Sequence, residues 1–191
     1  HVPRLPRNDV SGRVLVLCGP PGSGKGVVSR TASDRGMTVL SLGNEVRAEV
    51  AARGLDESPE NVGKTAVSMR EEYGEDIVIV RLLARIEEAL ADTDVLIDGM
   101  RQPEEMESLK QHIPNVMVLA VSASETVRLD WLSSRGRGED GSIDDFSERE
   151  RREWGWGLDV LMSQADAIII NDGSLNQLSN RSDEILESLG F

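Results

Sequence analysis

Residues 19 to 26 constrain what this chain can fold into more than any other segment. They read Gly-Pro-Pro-Gly-Ser-Gly-Lys-Gly, directly after the apolar run 14 to 18 and before a segment typical of a helix start. Glycines at these positions let backbone N–H groups turn inward around a phosphate, and the helix N-terminus adds partial positive charge. Lys25 can reach the terminal phosphates. This setting favours a phosphate-binding loop for a nucleoside triphosphate over a glycine-rich turn that contains a lysine by chance.

The loop departs from the general pattern at one position, because Gly26 stands where Ser or Thr would give a hydroxyl to Mg²⁺. Ser23 is then the candidate within the loop for an oxygen ligand, and Mg²⁺ keeps several water ligands in any case. We expect nine successive residues to contact ATP: Gly19, Pro20, Pro21, Gly22, Ser23, Gly24, Lys25, Gly26 and Val27.

The charge of the chain is strongly negative. Its 34 acidic and 21 basic residues give a net charge of −13, and the basic residues include only three lysines, Lys25, Lys64 and Lys110. This composition resembles that of proteins from salt-in halophiles, where high ionic strength screens self-repulsion. An ordinary acidic enzyme from an arginine-rich proteome is the alternative. Both disfavour a broad nucleic-acid-binding face, which needs clustered positive charge.

The length of 191 residues predicts one α/β domain, over residues 13 to 191, after a flexible arm at residues 1 to 12. The apolar stretches are too short to span a bilayer, so we expect a cytoplasmic protein without membrane contact, as a monomer or homodimer. Cys18 is the only cysteine, which excludes an internal disulfide and a cysteine-based zinc cluster. Its place at the end of an apolar run predicts a small buried side chain.

Five short apolar runs recur along the chain, at residues 13 to 18, 37 to 42, 94 to 98, 115 to 121 and 166 to 171. Continuous rather than alternating apolarity is typical of parallel strands that are covered on both faces. Helical periodicity over residues 76 to 91 and 174 to 189 supplies covering layers. The chain is therefore predicted to be an α/β three-layer sandwich, in which a five-stranded parallel sheet carries helices on both faces.

The segment after the second predicted strand reads Ser-Leu-Gly-Asn-Glu-Val-Arg from Ser41 to Arg47, and we expect Asn44 to be the N-cap of a helix there. Together with the Gly-Ser-Gly-Lys-Gly loop, it resembles the nucleoside monophosphate kinases of the P-loop NTPase superfamily, adenylate kinases among them. The resemblance implies that Arg47 holds the acceptor phosphate and that Ser41 and Gly43 lie beside its base or sugar. It also implies an acceptor-binding insertion at about residues 43 to 74.

An ion pair of Arg47 with Glu45 or Asp56 on a solvated helix is the alternative, and it would prevail if this segment stood alone.

The third predicted strand ends in Asp98, which Gly99, Met100 and Arg101 follow. An acidic residue at the carboxyl end of a strand beside the phosphate loop can hold water ligands of Mg²⁺, and we expect Asp98 to do so. The segment resembles the Asp-Gly-Phe-Pro-Arg motif of adenylate kinases, with one residue fewer before the arginine. The resemblance makes Arg101 a second clamp on the acceptor phosphate. Without the phosphate loop, Asp-Gly would be an ordinary turn.

Residues 133 to 152 are the least apolar stretch, and their glycines predict a short lid. The arginines there resemble the lid and post-lid arginines of the same kinases. The resemblance implies that Arg135 and Arg137 contact the donor phosphates and that Arg149 or Arg152 stabilises the transition state, together with Lys25. Salt bridges to the acidic residues between positions 139 and 150 are the alternative.

Further features concern recognition of the nucleotide bases of the donor and the acceptor. Trp131 stands where adenylate kinases tend to carry an arginine that stacks on the donor base, and an indole can stack on a purine too. Packing of its helix onto the sheet is the alternative. The turn with Asn171 and Gly173 is similar to turns near the donor base in dephospho-coenzyme A kinases and guanylate kinases. Trp154 and Trp156 either line an acceptor pocket or end a helix.

Taken together, these features resemble an archaeal adenylate-kinase-related family, often described as dephospho-coenzyme A kinase-like. The resemblance implies ATP- and Mg²⁺-dependent phosphoryl transfer to a small acceptor, first a nucleoside monophosphate and alternatively dephospho-coenzyme A. An acceptor phosphate is already anionic and needs no general base. A hydroxyl acceptor favours one, and Asp98 and Asp34 are weak candidates. A partner-dependent ATPase that acts as an assembly switch is the third alternative.

Overall fold

A computed structural model describes residues 12–135, 143–155 and 157–191, and for residues 134, 135 and 143–145 the backbone alone. The strands are β1 (Val14–Cys18), β2 (Thr38–Ser41), β3 (Val95–Asp98), β4 (Val116–Ser122) and β5 (Ala167–Ile170). The helices of these ranges are α1 (Lys25–Asp34), α2 (Leu42–Ala52), α3 (Pro59–Tyr73), α4 (Ile77–Leu90), α5 (Pro103–His112), α6 (Glu125–Arg135), α7 (Ile143–Gly155), α8 (Leu158–Ser163) and α9 (Leu175–Leu189).

The five strands form one parallel sheet in the order β2-β3-β1-β4-β5. The predicted sheet is confirmed, and each strand lies within the apolar run that predicted it or extends one residue beyond. Because all strands run in the same direction, their carboxyl ends meet at one edge. That edge carries Cys18 of β1, Ser41 of β2 and Asp98 of β3, and Ser41 and Asp98 lie opposite each other in the sheet register.

The core has one layer on each face of the sheet, as the continuous apolar strands predict. Val14 and Val16 of β1 belong to a cluster with α4 and α5, whereas Leu15 and Leu17 face α1 and α9. All residues of β1 are fully buried. Cys18 is among them, and burial raises the pKa of its thiol to about 11, so it packs as a neutral side chain.

The start of α2 differs from the prediction. Asn44 is not the N-cap, because the helix begins at Leu42 and Ser41 occupies the N-cap position. The reason is that β2 runs into α2 without an intervening loop, so Ser41 ends the strand and also precedes the helix. Asn44 lies in the first turn, where its Oδ1 accepts a hydrogen bond from Arg47.

In the part of the chain that the structure describes, every helix falls short of the length and apolarity that a membrane crossing requires. Helices α2 and α3 occupy the predicted acceptor-binding insertion, and α7 occupies the carboxyl-terminal half of the predicted lid.

Candidate functional site

The phosphate loop lies between β1 and α1, pressed against neighbouring backbone. Gly22 has a φ of 74°, and a Cβ there would come within 2.4 Å of the carbonyl oxygen of Arg128 in α6. At Gly19, a Cβ would lie 2.3 Å from the carbonyl oxygen of Val121 in β4. Side chains at these two positions would therefore collide with backbone that cannot easily move, which explains why the loop carries glycine there.

Lys25 is the first residue of α1, and its side chain bends back over the loop. Its Nζ donates hydrogen bonds to the carbonyl oxygens of Gly19 at 2.8 Å and Pro20 at 3.0 Å. Burial lowers the pKa of Lys25 to about 7, and the charge of Arg101 acts in the same direction, while Asp98 and Glu153 oppose them. The lysine therefore lies in one electrostatic environment with residues from β3 and α7.

Among the buried oxygens beside the loop that lack hydrogen-bond partners in the described residues, two come from predicted metal-binding residues. They are the Oγ of Ser23, which is fully buried, and the Oδ1 of Asp98 at the end of β3. Hard oxygen atoms of this kind fit a hydrated Mg²⁺ ion. In the described ranges, no three acidic, histidine or cysteine side chains gather as direct metal ligands. These residues therefore fit a metal ion that is bound mainly through water and phosphate oxygens. They do not fit an ion that is coordinated by protein side chains alone.

A cavity opens beside the loop that follows β3. One wall is apolar, with Leu42, Val46, Val62, Ala66 and Val78 from α2, α3 and α4. Charged side chains also line the cavity: Arg47, Arg70, Arg101, Arg149, Arg152 and Glu153.

Of the predicted acceptor residues, Gly43, Arg47 and Arg101 line this cavity, and Ser41 lies next to Gly43. A Cβ built on Gly43 would lie 3.4 Å from both Ser41 Oγ and Arg47 Nη2, so these three residues are neighbours. Arg47 donates to Asn44 Oδ1 at 2.6 Å, and its Nε lies 3.5 Å from Glu57 Oε1 at the rim. Glu45, one partner considered for Arg47, pairs with Arg85 on α4.

Glu153 of α7 links the arginines, although sequence reasoning did not select it. Its Oε1 lies 3.1 Å from the Nε of Arg101 and 3.1 Å from the Nε of Arg149. Burial acts to raise the pKa of Glu153, but the charges of Arg101, Arg149 and Lys25 outweigh it and bring the pKa to about 2. The carboxylate therefore stays ionised throughout the physiological range. Its i,i+4 spacing from Arg149 was the available signal, but such spacing is also typical of solvated helix faces.

A second buried network holds the backbone of Arg101. Glu105 accepts hydrogen bonds from the N–H groups of Arg101 and Gln102, both at 3.0 Å, and lies 3.4 Å from Arg70. Arg70 donates to Gln102 Oε1 at 3.1 Å. Burial raises the pKa of Glu105, while Arg70 and the two N–H groups oppose this. This network joins α3 to α5 and fixes the loop from which Arg101 projects.

Arg128 of α6 is another residue that sequence reasoning missed. It lies 2.5 Å from Glu150 of α7, its guanidinium carbon is 5.4 Å from the centre of the Phe146 ring, and its Nη1 donates to the carbonyl of Pro21 at 3.5 Å. It therefore joins α6, α7 and the phosphate loop.

One of the residues predicted near the donor base hydrogen-bonds to the loop. Asn171 is buried, and its Nδ2 donates to the carbonyl oxygen of Ser23 at 3.0 Å. Trp131 packs against the core layer of α1 and α9, which is the packing alternative. A Cβ on Gly173 would overlap Gln177 Oε1, which completes the capping box at the start of α9. Contact of these three residues with a nucleotide stays a prediction.

The predicted lid is described only at its two ends. Arg137 and Trp156 lie outside the described residues, and so does the side chain of Arg135. Trp154 is exposed on the last turn of α7, where its Nε1 donates to Glu150 at 3.3 Å, and Arg152 lines the cavity. Burial lowers the pKa of the Arg152 guanidinium.

The parallel sheet, the glycine-rich loop after β1 and the order of the strands define the class: this is a P-loop kinase fold. Two solved structures share it, a shikimate kinase from Acinetobacter baumannii in complex with shikimate (TM-score 0.59, 18% identity, 94% of this chain and 93% of that chain) and an unliganded sugar kinase from Janibacter sp. HTCC2649 (TM-score 0.56, 16% identity, 92% and 95%). At these identities they establish the fold alone.

Sequence relatives give the family. Residues 18–147 match the family described as AAA domain. A UPF0200 protein from Methanocaldococcus jannaschii is 37% identical over 182 residues, which cover 92% of each chain. One from Pyrobaculum aerophilum is 41% identical over 92% of this chain and 98% of its own. The chain belongs to the UPF0200 family, and the resemblance to the P-loop superfamily and to archaeal proteins is confirmed.

Proposed function

We propose that this protein transfers the γ-phosphoryl group of Mg·ATP to a nucleoside monophosphate. The observation that carries this proposal is the proximity of two sites. Arg101 lines the cavity, and its charge is the largest charge influence on the pKa of Lys25 in the phosphate loop. A donor bound at the loop and an anion bound at the arginines would therefore meet, as phosphoryl transfer requires.

The lining of the cavity favours this class of acceptor. The five arginines that line the cavity suit a phosphate, since arginine binds phosphate through paired N–H groups. The apolar wall of α2 and α3 suits the flat face of a base. A nucleoside monophosphate carries both chemistries.

The basicity of the cavity carboxylate argues against a hydroxyl acceptor. Glu153 lines the cavity, and with a pKa of about 2 it is a poor general base. A phosphate acceptor needs none, because its oxygen is already an anionic nucleophile. This oxygen would bond to the γ-phosphorus as the bond between that phosphorus and the bridging oxygen breaks, and ADP would leave with the bond electrons.

Each group in the site would have a defined task. Ser23 and Asp98 are the residues that would hold Mg²⁺, Asp98 through water, and the ion would supply positive charge that stabilises the negative charge of the phosphates. Lys25 would leave its two backbone carbonyls for the phosphates. Arg101 and Arg149 would exchange part of their contact with Glu153 for the acceptor phosphate and the moving group.

The test is ADP release from Mg·ATP in high KCl, alone and with AMP, CMP, UMP, GMP, dAMP or dephospho-coenzyme A added singly, with products identified by mass. A diphosphate product from one monophosphate is the expected result. Conversion of dephospho-coenzyme A to coenzyme A would replace the proposal with the hydroxyl alternative. Slow hydrolysis that is indifferent to all six would favour the partner-dependent ATPase. Lys25→Ala is the control, since it should abolish turnover in each case.

A further inference from the structure

Helix α3 carries a glycine in its interior, where the backbone gives no reason for it. Gly63 has an ordinary helical conformation, and glycine is the least favourable helix residue after proline. The reason is space. A Cβ built on Gly63 would lie 2.5 Å from Nη1, 3.1 Å from Cζ and 3.4 Å from Nη2 of Arg152. The guanidinium of Arg152 therefore lies against the backbone of α3 where a side chain is missing.

The location of this contact matters because Arg152 borders two cavities. On one side it lines the arginine-rich cavity with Arg47, Arg101 and Arg149. On the other it lines a cleft between α3 and α7 that also carries Glu60, Lys64 and Glu148. The guanidinium is the far end of a long side chain, and a methyl group on α3 would move it more easily than it would move either helix.

We propose that Gly63 is a positioning residue for Arg152, which fixes the guanidinium of Arg152 at the acceptor cavity by leaving room for it against α3. This inference rests on the proposed function, in which Arg152 acts on the acceptor side. Gly63 would then influence how well the protein uses its acceptor without contacting either substrate. Removing the space, with Arg152 itself unchanged, would misplace one cation of the site.

The kinetic test compares Gly63→Ala, Arg152→Ala, the double variant and Gly155→Ala, with Mg·ATP as donor and AMP as acceptor probe. Gly155 is the matched control, because no atom of the described residues lies within 4 Å of a Cβ there. We expect Gly63→Ala to lower kcat/KM for AMP by about 10- to 100-fold, since a displacement of about 1 Å has effects of this size. In Gly63→Ala, the KM for ATP should not rise and the melting temperature should not fall. Gly155→Ala should retain activity.

The double variant separates positioning from an independent defect. Because Gly63 acts through Arg152, the double variant should have the same kcat/KM for AMP as Arg152→Ala, within about twofold. The inference would be overturned if the losses in kcat/KM of the two single variants multiplied in the double variant. It would also be overturned if Gly63→Ala had parental kinetics while Arg152→Ala was defective. Unchanged AMP kinetics in Arg152→Ala would instead remove Arg152 from the proposed acceptor site.

A measurement without turnover keeps the inference testable with any acceptor. In an NMR spectrum, the Nε–Hε resonance of Arg152 is assigned by its loss in Arg152→Lys. In Gly63→Ala this resonance should shift or broaden more than any other arginine resonance. An Arg152 resonance at its parental position in Gly63→Ala would contradict the inference, whatever the substrate proves to be.

Discussion

Glu153 sets the charge balance at the centre of the site. Its carboxylate lies between Arg101 and Arg149, and it also attracts the ammonium group of Lys25. A buried cluster of cations without such a partner would be strongly unfavourable, because repulsion is poorly screened away from water. The residue therefore makes it possible for several buried cations to lie close together.

Replacing Glu153 by Gln should lower stability in a pH-dependent way. The folded pKa is about 2, against an ordinary value of 4.5. A depressed pKa contributes stability above pH 4.5 that is lost as the pH falls towards 2, on the order of 3 kcal/mol for this shift. In urea unfolding, the difference between parent and variant should be largest near pH 7 and shrink below pH 4.5. The exposed Glu60→Gln is the control, and an equal effect in both variants would contradict the assignment.

The pKa of Lys25, about 7 in the ligand-free protein, predicts proton uptake when ATP binds. Phosphate oxygens favour the charged ammonium, so the complex should hold more protons than the free protein above pH 7. ATP affinity should therefore fall by up to about tenfold for each pH unit above 7. Calorimetry in two buffers of different ionisation enthalpy measures the protons taken up. Lys25→Met should abolish the uptake and Lys64→Met should leave it intact, whereas uptake that persists in Lys25→Met would assign it elsewhere.

At the scale of the elements, the loop between β3 and α5 is held from two sides. Glu105 binds the N–H groups of Arg101 and Gln102 from α5, and Arg70 reaches Glu105 and Gln102 from α3. Both charged side chains of this pair are almost completely buried. A buried pair of this kind adds little net stability over apolar residues, but removing one member leaves a buried charge.

Glu105→Ala should therefore destabilise the fold by about 3 to 5 kcal/mol and also impair the acceptor site. With the two N–H groups released, Arg101 should lose its fixed position, so the KM for the acceptor should rise more than the KM for ATP. Urea unfolding and initial rates measure the two effects. Glu49→Ala, which removes the partly exposed partner of Arg53 and Arg81, is the control and should leave the KM ratio unchanged. An unchanged KM ratio in Glu105→Ala would contradict the positioning role.

The sequence could predict the elements and the edge at which the site lies, because these follow from short-range patterns. Continuous apolar runs specify parallel strands, and strands that run parallel bring Ser41 and Asp98 to one edge. Arg47 and Arg101 follow that edge closely along the chain, so their meeting could be foreseen. The prediction of Asn44 as the N-cap was wrong because α2 follows β2 directly, so the last residue of the strand, Ser41, takes the N-cap position.

The partners of the arginines could not be predicted, because they come from distant parts of the chain. Arg70 and Glu105 are 35 residues apart, and Arg128 contacts a carbonyl 107 residues away. In a chain with 34 acidic residues, almost every arginine has acidic neighbours in sequence. Spacing alone does not distinguish a solvated pair from a buried one such as Arg101 and Glu153.

For the whole molecule, the net charge of −13 contrasts with the arginines that line the cavity. Self-repulsion of this size should lower stability at low ionic strength. The melting temperature should therefore rise with KCl between about 0.01 M and 1 M, as the Debye length falls from about 30 Å to about 3 Å. Glycine betaine at matched osmolality separates screening from solute exclusion. A melting temperature that falls with KCl would mean that the surface ion pairs outweigh the repulsion.

The contact of Arg101 and Arg149 with a single carboxylate connects the two halves of the site thermodynamically. Arg101 lowers the proton affinity of Lys25. An anion that neutralises Arg101 would therefore remove a repulsion from Lys25 and strengthen its hold on phosphate. By reciprocity, a nucleotide at Lys25 would strengthen the binding of that anion by the same factor. The two ligands would then bind cooperatively, and the empty site would hold either one alone less firmly than both together.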